Sequence, residues 1–187
     1  GTIRWLEMHV ERLARSASWF GYPPEQIDEA ERTLRGLADA RPGLWRLTVS
    51  RSDPTAPFGG SGAVYLRHRP AGDSSGPNLT TAEGQYLPDD TLAEHKTTSY
   101  IRPIETLRRA RKRGFDDAVG LSNDGLVGEC AYANIVLVTD GVAVTPEIRG
   151  ILPGVTRRGV LELYDRDVTT RAVTREELER TDEVVLL

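Results

Sequence analysis

Residues 69–90 interrupt the regular pattern of apolar residues in this chain of 187 residues. The composition there shifts to Pro, Gly, Ser, Thr and Asn, with little apolar content before Leu92. Such a composition is typical of turns and loops, because these residues favour backbone conformations that end helices and strands. We therefore expect a small α+β domain over residues 1–70, a linker over residues 71–91, and a larger, strand-rich domain over residues 92–187.

Two helices followed by two paired strands are predicted in the first part. Apolar residues recur at helical spacing over residues 6–20, and a second helix is expected over about residues 25–40. Residues 44–50 and 63–68 alternate like strands, and the glycine-rich segment 58–62 suits the turn of an antiparallel pair. This order of elements indicates an α+β unit.

Strands dominate the prediction for the second part. Helices and strands together place the whole chain in the α/β fold class in its broad sense, with an α+β arrangement. The Asp-Gly pairs at residues 124–125 and 140–141 are typical of hairpin turns. The elements expected in order are a helix over 101–113, strands over 118–121, 134–139 and 142–145, a helix over 156–164, a strand over 168–173, a short helix beginning at the capping box 174–177, and a terminal strand.

Charge and cysteine content limit the classes of partner and compartment. The formal net charge is −4 with both signs mixed along the chain, which gives no basic surface for nucleic acid or an anionic membrane. No apolar run approaches the roughly 20 residues that cross a bilayer. The single cysteine cannot form an internal disulfide. We expect a cytoplasmic protein that acts on a small molecule, without nucleic-acid or membrane partners.

Lysine is rare in this chain, because only two of the 24 basic residues are lysines. Lys112 lies between two arginines in a solvated run of charge, whereas Lys96 lies in a small polar run of His, Thr and Ser. A primary amine can form a Schiff base or act as a base with a shifted pKa, and a guanidinium group does neither. Lys96 is therefore the candidate catalytic residue.

Residues 151–157 place a Pro-Gly turn directly before a predicted helix. Backbone amides and the Thr156 hydroxyl would converge at the helix N-terminus, which suits an anion such as phosphate. The alternative is an ordinary junction between a loop and a helix, with Thr156 as the capping residue. Both interpretations stay open from the sequence.

Glu129 is an isolated carboxylate between Gly128 and small residues, just before a predicted buried strand. An unpaired buried carboxylate is costly, so Glu129 needs a partner such as a protonated ring nitrogen. A position on a surface turn would remove that need.

The neighbouring Cys130 is interpreted as a small buried residue. No metal site is predicted, because His9 and His95 have no ligand partner at metal-binding spacing.

Lys96, Glu129 and the segment Gly154-Val155-Thr156, in this order, resemble the fold-type IV pyridoxal-phosphate enzymes. These include branched-chain aminotransferase, D-amino-acid aminotransferase and aminodeoxychorismate lyase. Further stretches resemble the family pattern along nearly the whole chain: His9 to Leu13, Arg46 to Val49, Gly114 to Ala118, Asp124 to Glu129 followed by Asn134, Thr145-Pro146, Leu152 to Arg157, and Asp182 to Val184. The resemblance implies a two-domain fold like that of D-amino-acid aminotransferase, with pyridoxal 5'-phosphate as cofactor.

The resemblance also implies a role for each matching residue. Lys96 would bind the cofactor as a Schiff base and then move the α-proton of the substrate, and Glu129 would keep the pyridine nitrogen protonated. Tyr100 would hydrogen-bond the phenolic oxygen of the cofactor. Arg46 would bind a substrate carboxylate, unless it is an ordinary solvated arginine of a strand. The cofactor phosphate and its surroundings would be contacted by Arg12, Leu152, Gly154, Val155 and Thr156.

Three functions are compatible with these residues. The leading one is a class IV aminotransferase that moves an amino group between a small amino acid and a 2-oxo acid, working as a homodimer. The second is an elimination that releases pyruvate from aminodeoxychorismate, because residues 129–134 resemble the lyase pattern somewhat more closely. The third is a non-catalytic relative that serves as a binding or dimerisation module.

The sequence also departs from the family pattern. Ser99 stands where the family often has Asn. The family's first strand and a segment after Leu187 have no counterpart, which would fit a fragment, a shortened chain or an inactive homologue.

Overall fold

The computed structural model of the chain describes residues 3–37, 41–51, 62–71, 76–164 and 167–187. The chain divides into two compact units, residues 1–74 and residues 75–187. Its elements are α1 (Leu6–Trp19), α2 (Pro24–Arg35), β1 (Leu44–Arg51), β2 (Gly62–Arg69), β3 (Leu79–Glu83), a 3-10 helix (Thr91–Glu94), α3 (Ile101–Lys112), β4 (Asp117–Leu121), β5 (Val127–Cys130), β6 (Ile135–Thr139), β7 (Val142–Pro146), α4 (Val155–Leu163), β8 (Val168–Arg171), α5 (Arg175–Arg180) and β9 (Glu183–Leu186).

The first unit consists of the helices α1 and α2 and the antiparallel pair β1–β2. The carboxylate of Glu7 accepts two hydrogen bonds from Arg35, at 2.6 and 2.9 Å, and thereby joins the two helices. Gln26 donates from Nε2 to the carbonyl oxygen of Ser50 at 2.9 Å, which fixes α2 on β1. α2 ends at Arg35 and not near residue 40, and Gly36, a poor helix former, occupies its C-cap position. The predicted turn over residues 58–62 falls largely outside the described residues.

The second unit contains two sheets. In the smaller one β4 lies between β3, which is parallel to it, and β5, which is antiparallel. In the larger one the strand order is β8-β7-β6-β9, with β7 and β8 parallel and the other pairs antiparallel. The apolar side chains between them form one buried cluster: Val119, Leu121, Val127, Cys130, Ile135, Leu137, Val144 and Val173.

The strand β3 is a feature that the sequence pattern did not predict. It lies within the stretch 71–91 that was expected to be a linker. Its sequence, Leu-Thr-Thr-Ala-Glu, lacks the alternation of apolar and polar residues that identifies a strand. Pairing with β4 supplies its backbone hydrogen bonds, so tertiary context rather than local pattern makes it a strand.

The mixed architecture and the other predicted elements are confirmed to within a few residues at their ends. The hairpin turn between β6 and β7 is formed by Asp140 and Gly141, which both have positive φ, at 50° and 77°. Thr174 and Glu177 form the predicted capping box of α5. Within the described ranges, no helix has the length and apolar character required to cross a membrane.

Candidate functional site

Lys96 lies in the loop between the 3-10 helix and α3, and its side chain is exposed. Its Nζ lies 5.3 Å from the centre of the Tyr100 ring, within the range of a cation–π interaction. Tyr100 is the N-cap residue of α3, and its ring stacks on Tyr132 with the ring centres 5.8 Å apart. The amine is therefore held beside an aromatic pair.

Hydrogen bonds of two acidic residues fix the segment that leads into the Lys96 loop. Asp90 accepts hydrogen bonds from the Leu92 amide at 3.1 Å and from Arg102 of α3 at 2.8 Å. Glu94, two residues before Lys96, accepts a hydrogen bond from the Gly150 amide at 3.1 Å. The segment that leads towards α4 is thus bonded directly to the lysine loop.

Glu129 lies in β5, and both of its carboxylate oxygens accept hydrogen bonds. The Leu152 amide donates to Oε1 at 3.1 Å, and Nδ2 of Asn134 donates to Oε2 at 3.0 Å. The preceding residue must be small, because a Cβ at Gly128 would lie 2.6 Å from the ring of Tyr86. The packing of that ring explains why a glycine stands directly before the carboxylate.

The pKa of Glu129 is raised to about 7, because the carboxyl group is withdrawn from water. The hydrogen bond from the Leu152 amide and the positive charge of Lys96 lower this pKa, but by less than burial raises it. The carboxyl group is therefore near half ionisation at neutral pH. Such a group can share a proton with a basic nitrogen brought beside it.

The N-terminus of α4 presents free backbone amides. Gly154 occupies the N-cap position, and no side chain of the described residues caps this helix. The first intrahelical bond runs from the Arg158 amide to the Gly154 carbonyl oxygen at 2.9 Å, so the amides of the three preceding residues have no acceptor within the helix. Val155 is buried and Thr156 is exposed. Thr156 is therefore not the capping residue, because Gly154 holds that position, and the anion site itself stays a prediction.

Arg157 fixes the first turn of α4 to β7, a contact that sequence reasoning missed. The side chain is only 6% exposed. Its Nε donates to Oγ1 of Thr145 at 3.1 Å, and a guanidinium N–H donates to the Pro146 carbonyl oxygen at 2.8 Å. Burial lowers the pKa of Arg157. A positive charge in the first turn of a helix opposes the helix dipole, so an anion bound at this end would relieve that conflict.

Asn134 and Tyr132 were also missed as members of this site. Asn134 was part of a matched stretch, but its side-chain partners could not be inferred from spacing. Tyr132 follows Glu129 by three residues, is 53% exposed and stacks on Tyr100. The sequence signals for these residues were their closeness to Glu129 along the chain and their place in a stretch that resembles the family pattern.

Arg12 and Arg46 belong to the first unit. Arg12 lies in α1, half-buried, and its charge adds to the burial that lowers the pKa of His9. Arg46 lies in β1, exposed, and is opposite Arg67 in the strand register. The roles that the resemblance implies for both arginines stay predictions.

The comparisons with known proteins agree on one family. The model of the family described as amino-transferase class IV matches residues 1–187. A probable branched-chain-amino-acid aminotransferase of Rickettsia typhi is 28% identical over 178 residues, covering 87% of this chain and 61% of the relative. The fold IV transaminase CpuTA1 of Curtobacterium pusillum is similar with a TM-score of 0.81 at 28% identity, covering 97% of this chain and 69% of that protein.

A second solved structure has a different name. A protein of Legionella pneumophila provisionally named 4-amino-4-deoxychorismate lyase is similar with a TM-score of 0.81 at 26% identity, covering 97% of this chain and 72% of that protein. This chain spans 61% of the length of the Rickettsia relative.

The predicted resemblance to fold-type IV transaminases is confirmed. Because the family match covers the whole chain, the protein belongs to the aminotransferase class IV family.

Proposed function

We propose that the protein is a pyridoxal-phosphate-dependent aminotransferase that moves an amino group between a small amino acid and a 2-oxo acid. The observation that carries this proposal is the connection between three groups in the second unit. The positive charge of Lys96 acts on Glu129, and Glu129 is hydrogen-bonded to the Leu152 amide two residues before the N-cap of α4. This connection supports the proposal, because it links an amine, a carboxyl group and a helix N-terminus of the kind that suits an anion.

The chemistry of these groups fits the cofactor used by this family. Pyridoxal phosphate, when bound, supplies an aldehyde that joins an amine, a basic ring nitrogen, and a ring that accepts electrons from the substrate's α-carbon. Lys96 is the amine, and Glu129 is a buried carboxyl group whose two hydrogen bonds come from neutral N–H groups, those of Leu152 and Asn134. The amides at the start of α4 match a phosphate.

Each residue of the site has a task that follows from its surroundings. Lys96 would hold the cofactor through Nζ, and its amine would be the base that takes the proton from the substrate's α-carbon. Glu129 would keep the ring nitrogen protonated, because a buried carboxylate is stabilised by a positive charge beside it. Tyr100, beside Lys96, would donate a hydrogen bond from its phenol group to the cofactor's phenolic oxygen. The amides of Val155 and Thr156, with the helix dipole, would bind the phosphate.

The remaining predicted contacts belong to the same proposal. Leu152 and Gly154 place the backbone that leads into α4, and the Leu152 amide also holds Glu129. Arg12 would add a charged hydrogen bond to the phosphate, and Arg46 would bind a substrate carboxylate. For these two arginines the support is the family resemblance alone.

Elimination from aminodeoxychorismate is a second candidate function, and the likeness to the Legionella protein favours it. One experiment separates the candidates. The full-length protein is incubated with a panel of amino donors, including branched-chain amino acids because of the Rickettsia relative, and 2-oxo acid release is measured. Aminodeoxychorismate is tested separately, without an acceptor, for release of pyruvate.

We expect 2-oxo acid release from at least one small amino donor that depends on added acceptor. Pyruvate release from aminodeoxychorismate alone would instead support the lyase. If neither reaction occurs when the cofactor is supplied in excess, the result would contradict the enzymatic proposal and support a binding or dimerisation module.

We further propose that the working form is a homodimer. Fold-type IV enzymes complete each pocket with residues of the neighbouring subunit, according to the family resemblance. Apolar side chains of the second unit are exposed beside the site, with Ile101 at 78% and Tyr132 at 53%. Light scattering of the full-length protein should give twice the mass of one chain. A monomer that remains active at high dilution would contradict the shared pocket.

A further inference from the structure

Asn134 is 5% exposed and directly precedes β6. Its side-chain nitrogen donates to Oε2 of Glu129 at 3.0 Å and to the carbonyl oxygen of Leu152 at 2.9 Å. A side-chain amide has two N–H bonds, so these two contacts use its full donor capacity. One buried side chain thus bonds both to the carboxyl group in β5 and to the backbone that leads into α4.

The oxygen of the same amide lies against Gly154. A Cβ built at Gly154 would overlap with Oδ1 of Asn134, so a larger residue there requires the amide to move. The backbone of Asn134 is also fixed, because its carbonyl oxygen accepts a hydrogen bond from the Leu187 amide at 2.9 Å. The Asn134 amide therefore has little freedom to turn away from Glu129.

We propose that Asn134 is a positioning residue that sets the distance between the Glu129 carboxyl group and the start of α4. Its importance for catalysis rests on the proposed function, in which these two groups contact the ring nitrogen and the phosphate of one small molecule. The separation of the two groups must then match that molecule. A single rigid side chain that touches both is the simplest way to hold such a separation.

The contact has a measurable electrostatic consequence. An N–H bond donated to a carboxylate stabilises its charged form. From the bond of Asn134 to Oε2 we therefore expect an effect opposite to that of burial, which raises the pKa of Glu129. Among the residues that the structure describes, the titratable groups that interact electrostatically with Glu129 are Lys96 and Cys130. Loss of the amide should raise the Glu129 pKa further without changing either of these neighbours.

The first test is the variant Asn134→Leu, which keeps the branched shape and removes both N–H bonds. The titration of Glu129 is followed by carbon NMR of the side-chain carboxyl groups in the cofactor-free, full-length protein. Glu129→Gln assigns the signal. We expect the midpoint, about 7 in the parent protein, to rise by about one pH unit, which is roughly a tenfold change in the acid dissociation constant.

A second variant, Gly154→Ala, changes no group that touches Glu129. Its added Cβ displaces the Asn134 amide, so the Glu129 midpoint should also rise although residue 154 lies 25 positions away in the sequence. The same variant should weaken the binding of pyridoxal phosphate. Gly76→Ala is the matched control, because a Cβ at Gly76 meets no atom within 4 Å. It should leave the midpoint and the affinity unchanged.

The outcomes separate the two proposals. A midpoint that stays at its parent value in folded Asn134→Leu and Gly154→Ala proteins would overturn the positioning role. If Asn134→Leu does not fold, Gly154→Ala decides alone. Shifted midpoints in a protein that binds no pyridoxal phosphate would support the positioning of Glu129 by Asn134 and contradict the proposed function.

Discussion

Glu129 and Glu105 lie in the same unit, yet their pKa values move in opposite directions. Glu105, on the exposed side of α3, accepts hydrogen bonds from Arg108 at 2.6 and 2.7 Å and from Arg109 at 2.8 Å. These bonds lower its pKa to about 2. Burial raises the pKa of Glu129 to about 7. The chain supplies Glu105 with its own cations and leaves Glu129 to be neutralised by a proton or by a ligand.

The surroundings of the two lysines also differ. Lys112 is the last residue of α3 and lies between Arg111 and Arg113, where the helix dipole favours any positive side chain. Arginine would serve there equally well. Lys96 lies over the Tyr100 ring, and its charge acts on Glu129. The comparison shows that residue type alone does not mark a site, because α3 also holds a glutamate, Glu105, and a lysine, Lys112.

The largest expected effect comes from exchanging the two lysines for arginine. Lys96→Arg should reduce amino transfer by about 1,000-fold or more, because guanidinium neither joins the cofactor nor moves the α-proton. Lys112→Arg should keep the parent rate within about twofold, since it preserves the charge at the end of α3. Single-turnover measurements at saturating cofactor check both. Equal losses in the two variants would remove the distinction between the regions.

The next effect concerns the two glutamates. Glu129→Gln should retain bound cofactor but slow proton exchange at the substrate's α-carbon by roughly 100-fold, because a proton is no longer held at the ring nitrogen. Glu105→Gln should leave the exchange unchanged. Deuterium incorporation from heavy water measures the step directly. A loss below about tenfold, roughly 1.4 kcal/mol of barrier, would indicate that Glu129 is structural.

The opposite pKa shifts also predict opposite effects of pH on stability. Because the folded pKa of Glu129 is raised from 4.5 to about 7, this group costs stability progressively as pH rises through that window. Glu129→Gln removes the cost, so its advantage over the parent protein should grow by about 2 kcal/mol between pH 5 and pH 8. Urea unfolding of the cofactor-free protein measures this difference.

Glu105 provides the control for that measurement. Its folded pKa is lowered to about 2 from 4.5, so its stabilising contribution is present above its unfolded pKa and is lost as pH falls through the folded value. Glu105→Gln should therefore give no advantage between pH 5 and pH 8. An equal gain in both variants would show that loss of net negative charge, rather than burial of Glu129, is responsible.

The smallest expected effect separates two threonines at helix N-termini. Thr156→Val should weaken cofactor binding by about tenfold, because one hydrogen bond to the phosphate is lost. Turnover at saturating cofactor should change less. Thr174 caps α5 and accepts a hydrogen bond from the Glu177 amide at 3.4 Å. Thr174→Val should lower stability by about 1 kcal/mol without changing cofactor affinity. Equilibrium dialysis and thermal unfolding distinguish the two results.

The mixed fold and most elements could be predicted because their signals are local, and the family because its motifs follow one another in order along nearly the whole chain. The turn at Asp140-Gly141 and the capping box at Thr174 each lie within a few residues. The strand β3 could not be predicted, because its partner β4 begins 38 residues further along the chain and its own sequence lacks a strand pattern.

Some features of the candidate site could likewise be predicted from the sequence, and others could not. Lys96 could be found because a lysine is rare in this chain, and Glu129 because it is isolated among small residues. The contacts of Asn134 with Leu152 and of Arg157 with Thr145 join residues that are 18 and 12 positions apart. Only the packing of β6, β7 and α4 brings those side chains to their partners. The spacing of the residues along the sequence does not predict these contacts.

The account depends most on the assignment of Lys96 as the residue that joins the cofactor. Full-length protein loaded with pyridoxal phosphate can be reduced with borohydride, digested and mapped by mass spectrometry. Reduction makes the bond between cofactor and amine permanent, so the labelled peptide identifies the lysine. We predict the label on the peptide that contains Lys96. A label on Lys112, or no label with the cofactor in excess, would contradict the account.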